Sequence, residues 1–192
     1  MTHMRTTIVT TLLGSLLAAC GAGLSSGRPG YTMSDTVSSE KMPDLLERPD
    51  IDTMLDQYER IRTEMRVRLS AELDLAGKWR KPREPAEGLC GSPHSDVPNA
   101  VNVYMANWVN NAEIPEDQWD HAQSLFKRIT GRHGFGDLQV VTDAPNDHLI
   151  RASDAYGGAI SLGTKKATML SLDTGCHPTA DAHPGDTSDA PS

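Results

Sequence analysis

Between Ile51 and Leu73, apolar side chains recur every three or four residues: Ile51, Leu55, Tyr58, Ile61, Met65, Leu69 and Leu73. That spacing gathers them on one stripe of an α-helix and leaves the remaining faces polar. A helix with a one-sided stripe is marginal alone in water, because most of its stability comes from packing that stripe on a second layer. Whatever else the chain does, it must supply that layer. Asp56 with Arg60 and Glu64 with Arg68 stand four apart in the favourable order and are expected to pair on the solvent side. Gly77 is the natural stop.

The partner layer begins after a proline-rich stretch, Lys78 to Pro98, which is expected to be irregular. Ala100 to Trp108 alternates as a strand, with Val101, Val103 and Met105 on one face and Tyr104 on the other. Pro115, Glu116 and Asp117 then open a second helix whose apolar face is Trp119, Ala122, Phe126 and Ile129. Lys127, Arg128 and Arg132 crowd its last turns, so both ends suit the helix dipole, and Gly131 or Gly134 ends it. Four short strands follow over Leu138–Thr142, His148–Ser153, Ala159–Gly163 and Ala167–Leu172. Turn-forming residues separate them, as in an antiparallel meander. The predicted fold class is α+β, with two amphipathic helices on one face of an antiparallel sheet of about five strands.

The start of the chain is different in kind. Met1 to Arg5 carries a single basic residue, Thr6 to Leu17 is apolar, and Leu17-Ala18-Ala19-Cys20 closes the segment. This is a secretory signal, too short for a membrane span of roughly 20 residues. Its last four residues fit the lipobox read by bacterial lipoprotein maturation. In that chemistry the Cys20 thiol takes a diacylglycerol carrying fatty acids such as palmitate, and the chain is cut before it. Residues 1–19 are therefore expected to be a signal peptide and Cys20 a lipid anchor, facing the extracytoplasmic side of the cell membrane. Met4 is a second plausible start.

From Gly21 to about residue 48 the chain is rich in Gly, Ser, Thr and Pro, as expected for a flexible tether. Such a tether of about 27 residues has an r.m.s. reach of roughly 30 Å. The folded domain is assigned to residues 49–177, and residues 178–192, polar and proline-bearing, to a disordered tail.

Net charge narrows the partners. The 192 residues hold 18 basic and 26 acidic side chains, a formal charge of -8. Loss of residues 1–19 removes Arg5 and no acid, leaving 17 against 26, or -9. A chain of that sign is poorly suited to nucleic acid, whose recognition needs a basic surface.

With Cys20 assigned to lipid, Cys90 and Cys176 remain. In an exported chain two such cysteines most often pair. Closing a loop of about 85 residues stabilises by up to roughly 4.5 kcal/mol in the chain-entropy model. The competing arrangement is a metal held by Cys90, His94, Cys176 and His177. Adjacent ligands rarely point at one metal, and no Cys-x2-Cys or His-x3-His spacing is present.

Taken in order, these features resemble a known family. The lipobox is followed by the long amphipathic helix and a Trp-containing connection ending in Gly88-Leu89-Cys90. Then come a strand and Ile114-Pro115-Glu116-Asp117-Gln118-Trp119, opening a helix that closes near Gly134-Phe135-Gly136. The last strand ends in Met169-Leu170-Ser171-Leu172-Asp173-Thr174-Gly175-Cys176. The order and both cysteine contexts resemble the LppA-type lipoproteins of mycobacteria and their actinobacterial relatives. The resemblance implies a lipid-anchored cell-envelope protein, with lipidation at Cys20 and a Cys90–Cys176 disulfide. It transfers no activity, ligand or cofactor.

Catalytic signatures are weak. Ala159-Ile160-Ser161-Leu162-Gly163 has Ala where a nucleophile elbow needs Gly, and it reads as a plain strand. Ser92 and His94 sit in a turn context. Gly131-Arg132-His133-Gly134-Phe135-Gly136 follows a helix, whereas anion-binding loops precede one. Gly163-Thr164-Lys165-Lys166 is a hairpin turn and not part of a P-loop. Glu113, Glu116, Asp117 and Asp120 fit a solvated first turn better than a cation site, although Glu116 and Asp120 share a face. His121 and His148 have no partner evident in sequence, and Trp108 and Trp119 fit the core or its rim. The expectation is a noncatalytic interaction or structural domain, without metal or cofactor, whose partners are the membrane and another envelope protein. The alternative is a binding protein for a small or lipidic ligand in the space between helices and sheet.

Overall fold

A computed structural model describes residues 45–182. The signal peptide, Cys20, most of the tether and the end of the tail lie outside the described residues. The first element is a 3-10 turn over Leu45–Glu47, inside the stretch whose composition suggests a tether. It packs on the domain because Leu45 and Arg48 are buried.

Helix α1 spans Ile51–Glu72. The Asp50 side chain caps it, accepting from the Thr53 N–H at 2.8 Å and satisfying an otherwise orphaned donor. Its apolar stripe is the predicted one except at Leu55, which is half-buried while Met54 takes the place in the core, and Ile61, Met65 and Leu69 are fully buried. The helix stops at Glu72, five residues before Gly77, and Asp74 takes φ 47°, in the left-handed region. Gly77 serves close approach instead, its carbonyl accepting from Asn110 Nδ2 at 2.8 Å where a Cβ would strike the Asn110 side chain. Neither expected i,i+4 pair forms. Arg68 pairs with Glu72, and Glu64 reaches across to Arg132 and His133 on the second helix.

Seven strands form one antiparallel sheet, where about five were expected. The proline-rich connection supplies the additional ones: β1 (Trp79–Arg80) and β2 (Ala86–Leu89). They are short, so their periodicity is unreadable, and both pair along one edge of β3 (Ala100–Asn110). Next come a 3-10 turn at Glu116–Gln118 and helix α2 (Trp119–Arg132). The meander is β4 (Gln139–Ala144), β5 (Asp147–Ser153), β6 (Ala159–Thr164) and β7 (Thr168–Pro178). The strand order is β1-β3-β7-β6-β5-β4, so β7 returns to pair with β3 at the centre. β7 is longer than predicted and carries the chain through Cys176 to Pro178, into the stretch assigned to the tail.

Both helices pack on one face of this sheet. Ile150, Ala152, Ile160, Leu162, Leu170 and Leu172 meet the stripe of α1 and Ala122, Leu125, Phe126 and Ile129 of α2. Each fully buried aliphatic side chain contributes roughly 1.5–3 kcal/mol relative to exposure. Register shifts between Asn102 and Tyr104 and between Met105 and Trp108 break the simple alternation of β3. Val103 and Ala106 are consequently both buried, while Tyr104 faces solvent.

Candidate functional site

Cys90 and Cys176 are disulfide-bonded, with Cα atoms 5.6 Å apart and a sequence separation of 86. The bond fastens the segment after β2 to the end of β7. With both cysteines in the bond, the two histidines of the competing metal arrangement meet other groups. His177 is buried with Nδ1 3.0 Å from the Pro49 carbonyl and Nε2 3.1 Å from that of Thr174, while His94 Nε2 lies 3.4 Å from Arg48 Nη2.

Around the disulfide lies a buried polar junction that ties the entry of the domain to its last strand. Arg48 Nη1 donates to the carbonyls of Tyr156 at 3.1 Å and Cys176 at 2.5 Å. Its guanidinium also lies over the Tyr156 ring, 5.6 Å from the centroid. Two helical turns into α1, the Tyr58 hydroxyl donates to Asp154 Oδ2. The other oxygen of Asp154 accepts from the Tyr156 and Gly158 N–H groups at 2.9 and 2.8 Å, closing the β5–β6 turn. Burial and then the Asp154 carboxylate push the Tyr58 phenol far up, so it keeps its proton and acts as donor. Burial lowers the His177 pKa despite its two carbonyl neighbours. The acid, base and cation here are all engaged by one another or by backbone.

A cleft of about 410 Å³ opens on the other side of α1, between that helix and the β1–β2 segment. Its floor is Leu55, Pro85, Val103, Met105 and Ala106. Glu59 organises one wall. It holds the buried Arg62 at 2.5 Å, accepts from Trp108 Nε1 at 3.1 Å and lies 3.6 Å from both Arg66 and Lys81. Arg62 also donates to the Ala106 carbonyl at 2.8 Å, which fixes α1 against β3. Arg66 and Lys81 sit over the Trp108 ring, 3.6 and 4.7 Å from its centroid. Burial alone would raise the Glu59 pKa, but the charge and hydrogen bonds of Arg62 outweigh it and keep the carboxyl low.

The residues weighed in sequence fall elsewhere. Ser161 stays mid-strand in β6. Gly134, at φ 81°, terminates α2, whose Thr130 carbonyl accepts the Phe135 N–H at 3.1 Å. Glu116, which shares a helix face with Asp120, is engaged by other groups. It accepts from the Asn146 N–H at 2.7 Å and from His148 Nε2 at 3.0 Å. His148 thus has partners that sequence reading missed, with Asp143 2.9 Å from Nδ1 and Trp119 stacked on its ring at 4.7 Å. His121 lies 2.9 Å from Glu72. Trp119 is core and Trp108 core rim, as expected. Arg48, Tyr58, Asp154 and Glu59 were not singled out, because each acts through a neighbour that is distant in sequence or supplied by backbone.

Fold and junction together define a class: a two-layer α+β domain, disulfide-closed, whose N-terminal entry is locked to its final strand. A family model described as LppA, "Lipoprotein confined to pathogenic Mycobacterium", matches residues 27–179, and the chain belongs to this family. A crystal structure of LppA from Mycobacterium tuberculosis is similar, with a TM-score of 0.61 at 12% identity over 77% of this chain and 89% of that one. So is that of a DUF4853 family protein from Actinomyces odontolyticus, at 0.53 and 19%, over 76% and 79%. At these identities the likeness shows the fold. No curated protein matches. Among the described residues, no helix is long and apolar enough to cross a membrane.

Proposed function

We propose that this chain is a membrane-anchored cell-envelope lipoprotein, with Cys20 lipidated and a noncatalytic domain working as an interaction or structural module on the extracytoplasmic side. The observation that carries the reading is the Leu17-Ala18-Ala19-Cys20 lipobox at the head of a chain belonging to a lipoprotein family. One acyl chain binds membranes marginally and two or more anchor stably, at about 0.8 kcal/mol per buried CH2. The locked entry supports the same reading, since Arg48 joins the chain arriving from Cys20 to the strand end at Cys176. Fractionation of cells expressing the wild type and Cys20→Ala tests it. Wild type in the membrane fraction and the variant released is the expected result; equal partition overturns it. Crosslinking in intact cells tests the module, and recovery of no reproducible envelope partner counts against that part.

A second reading is favoured by one observation. The cleft beside α1, at about 410 Å³ with an apolar floor, has the dimensions of a small-molecule site. In this reading the domain is an extracytoplasmic binding protein for a small or lipidic ligand.

A further inference from the structure

We infer that the cleft between α1 and the β1–β2 segment takes a small organic cation, an alkylammonium group on an apolar body. The inference rests on the second reading and names its ligand class. The apolar part is the floor made by Leu55, Val103, Met105 and Ala106. The charge comes from the rim. Four carboxylates and two cations line the cleft, a net charge of -2. The cations are already engaged: Arg62 is fully buried against Glu59 and the Ala106 carbonyl, and Lys81 is drawn to Glu59 and the Trp108 ring. Glu59 is their counter-charge. Asp56, Glu84 and Glu87 remain, exposed, with no ion pair among the described residues. Three unpaired carboxylates above an apolar floor complement a cation with a hydrophobic stem and repel the corresponding anion. The occupant is a small molecule, since a cleft of about 410 Å³ falls within the size range of small-molecule sites.

The test titrates hexylammonium, hexan-1-ol and hexanoate into the full chain, kept lipid-free by Cys20→Ser, and follows backbone amide shifts by NMR. Hexylammonium should give saturable shifts at Asp56, Val103 and Met105 and bind about tenfold tighter than hexan-1-ol, with hexanoate weakest. D56N/E84Q/E87Q changes only exposed side chains and should erase the preference while leaving the other amide shifts in place. Equal binding of hexylammonium and hexan-1-ol would overturn the cation and leave the binding reading standing. Absence of saturable shifts from all the probes would overturn both.

Discussion

Arg48 donates across 2.5 Å to the carbonyl oxygen of Cys176, 128 residues away in sequence. Arg48 is 2% exposed, so its planar fork replaces water for the carbonyls of both Cys176 and Tyr156. Arg48→Met keeps much of the volume and removes the donors. Two partly buried carbonyls lose their partner, and the expected loss is about 2–4 kcal/mol of unfolding free energy in urea. Arg48→Lys should recover only part of it.

Tyr58→Phe tests the next layer of the junction. The hydroxyl that satisfies Asp154 disappears while the ring still packs near Phe135, with centroids 6.1 Å apart. A destabilisation of about 1–3 kcal/mol is expected. Gly158→Ala should cost more, because its Cβ would lie 2.5 Å from the Tyr58 hydroxyl and 3.0 Å from the Thr174 carbonyl. Thermal melts of both variants check the order.

Loss of the disulfide should be larger again. With the cysteines 86 positions apart in sequence, Cys90→Ser or Cys176→Ser is expected to lower stability by up to about 4.5 kcal/mol. Wild type and variants melting together would contradict a bridge formed in the mature protein.

His148 gives stability a slope with pH. Burial opposes its charge, but the hydrogen bonds with Glu116 and Asp143 outweigh that cost and raise its pKa above the ordinary 6.5. The folded state therefore holds the proton more tightly than the unfolded chain. This contribution is fully present below about pH 6.5 and fades as pH rises through the raised value. His148→Gln should be more destabilising at pH 6 than at pH 9, read as the difference from wild type in denaturant at each pH. The buried His177, whose pKa is lowered, acts in the opposite sense and cancels in that difference.

The layers of this fold were legible because periodicity reports burial. The stripe from Ile51 to Leu69 and the strand alternation each record which face meets the core. β1 and β2 were illegible for the complementary reason: with two and four residues, mostly exposed, they are defined by hydrogen bonds to β3 and carry little side-chain pattern. The early end of α1 turns on the backbone of Asp74, a residue whose short polar side chain tolerates the left-handed region. Charge pairing was misread on α1 because Glu64 and Glu72 have partners on α2, at Arg132 and Arg128, which local spacing cannot reveal. The junction and the cleft were invisible for the same cause. Arg48 reads as one more charge in a polar segment until β7 brings the Cys176 carbonyl to it.

A lipid at Cys20 is proposed to hold a disulfide-closed domain at the membrane. The intact mass of the full-length protein, purified from the membranes of an actinobacterial host and measured without reductant, tests it most directly. The expected species is a chain beginning at Cys20, heavier by its acyl groups and lighter by the two hydrogens of the Cys90–Cys176 bond. An unacylated chain, or one with both thiols free, would contradict it.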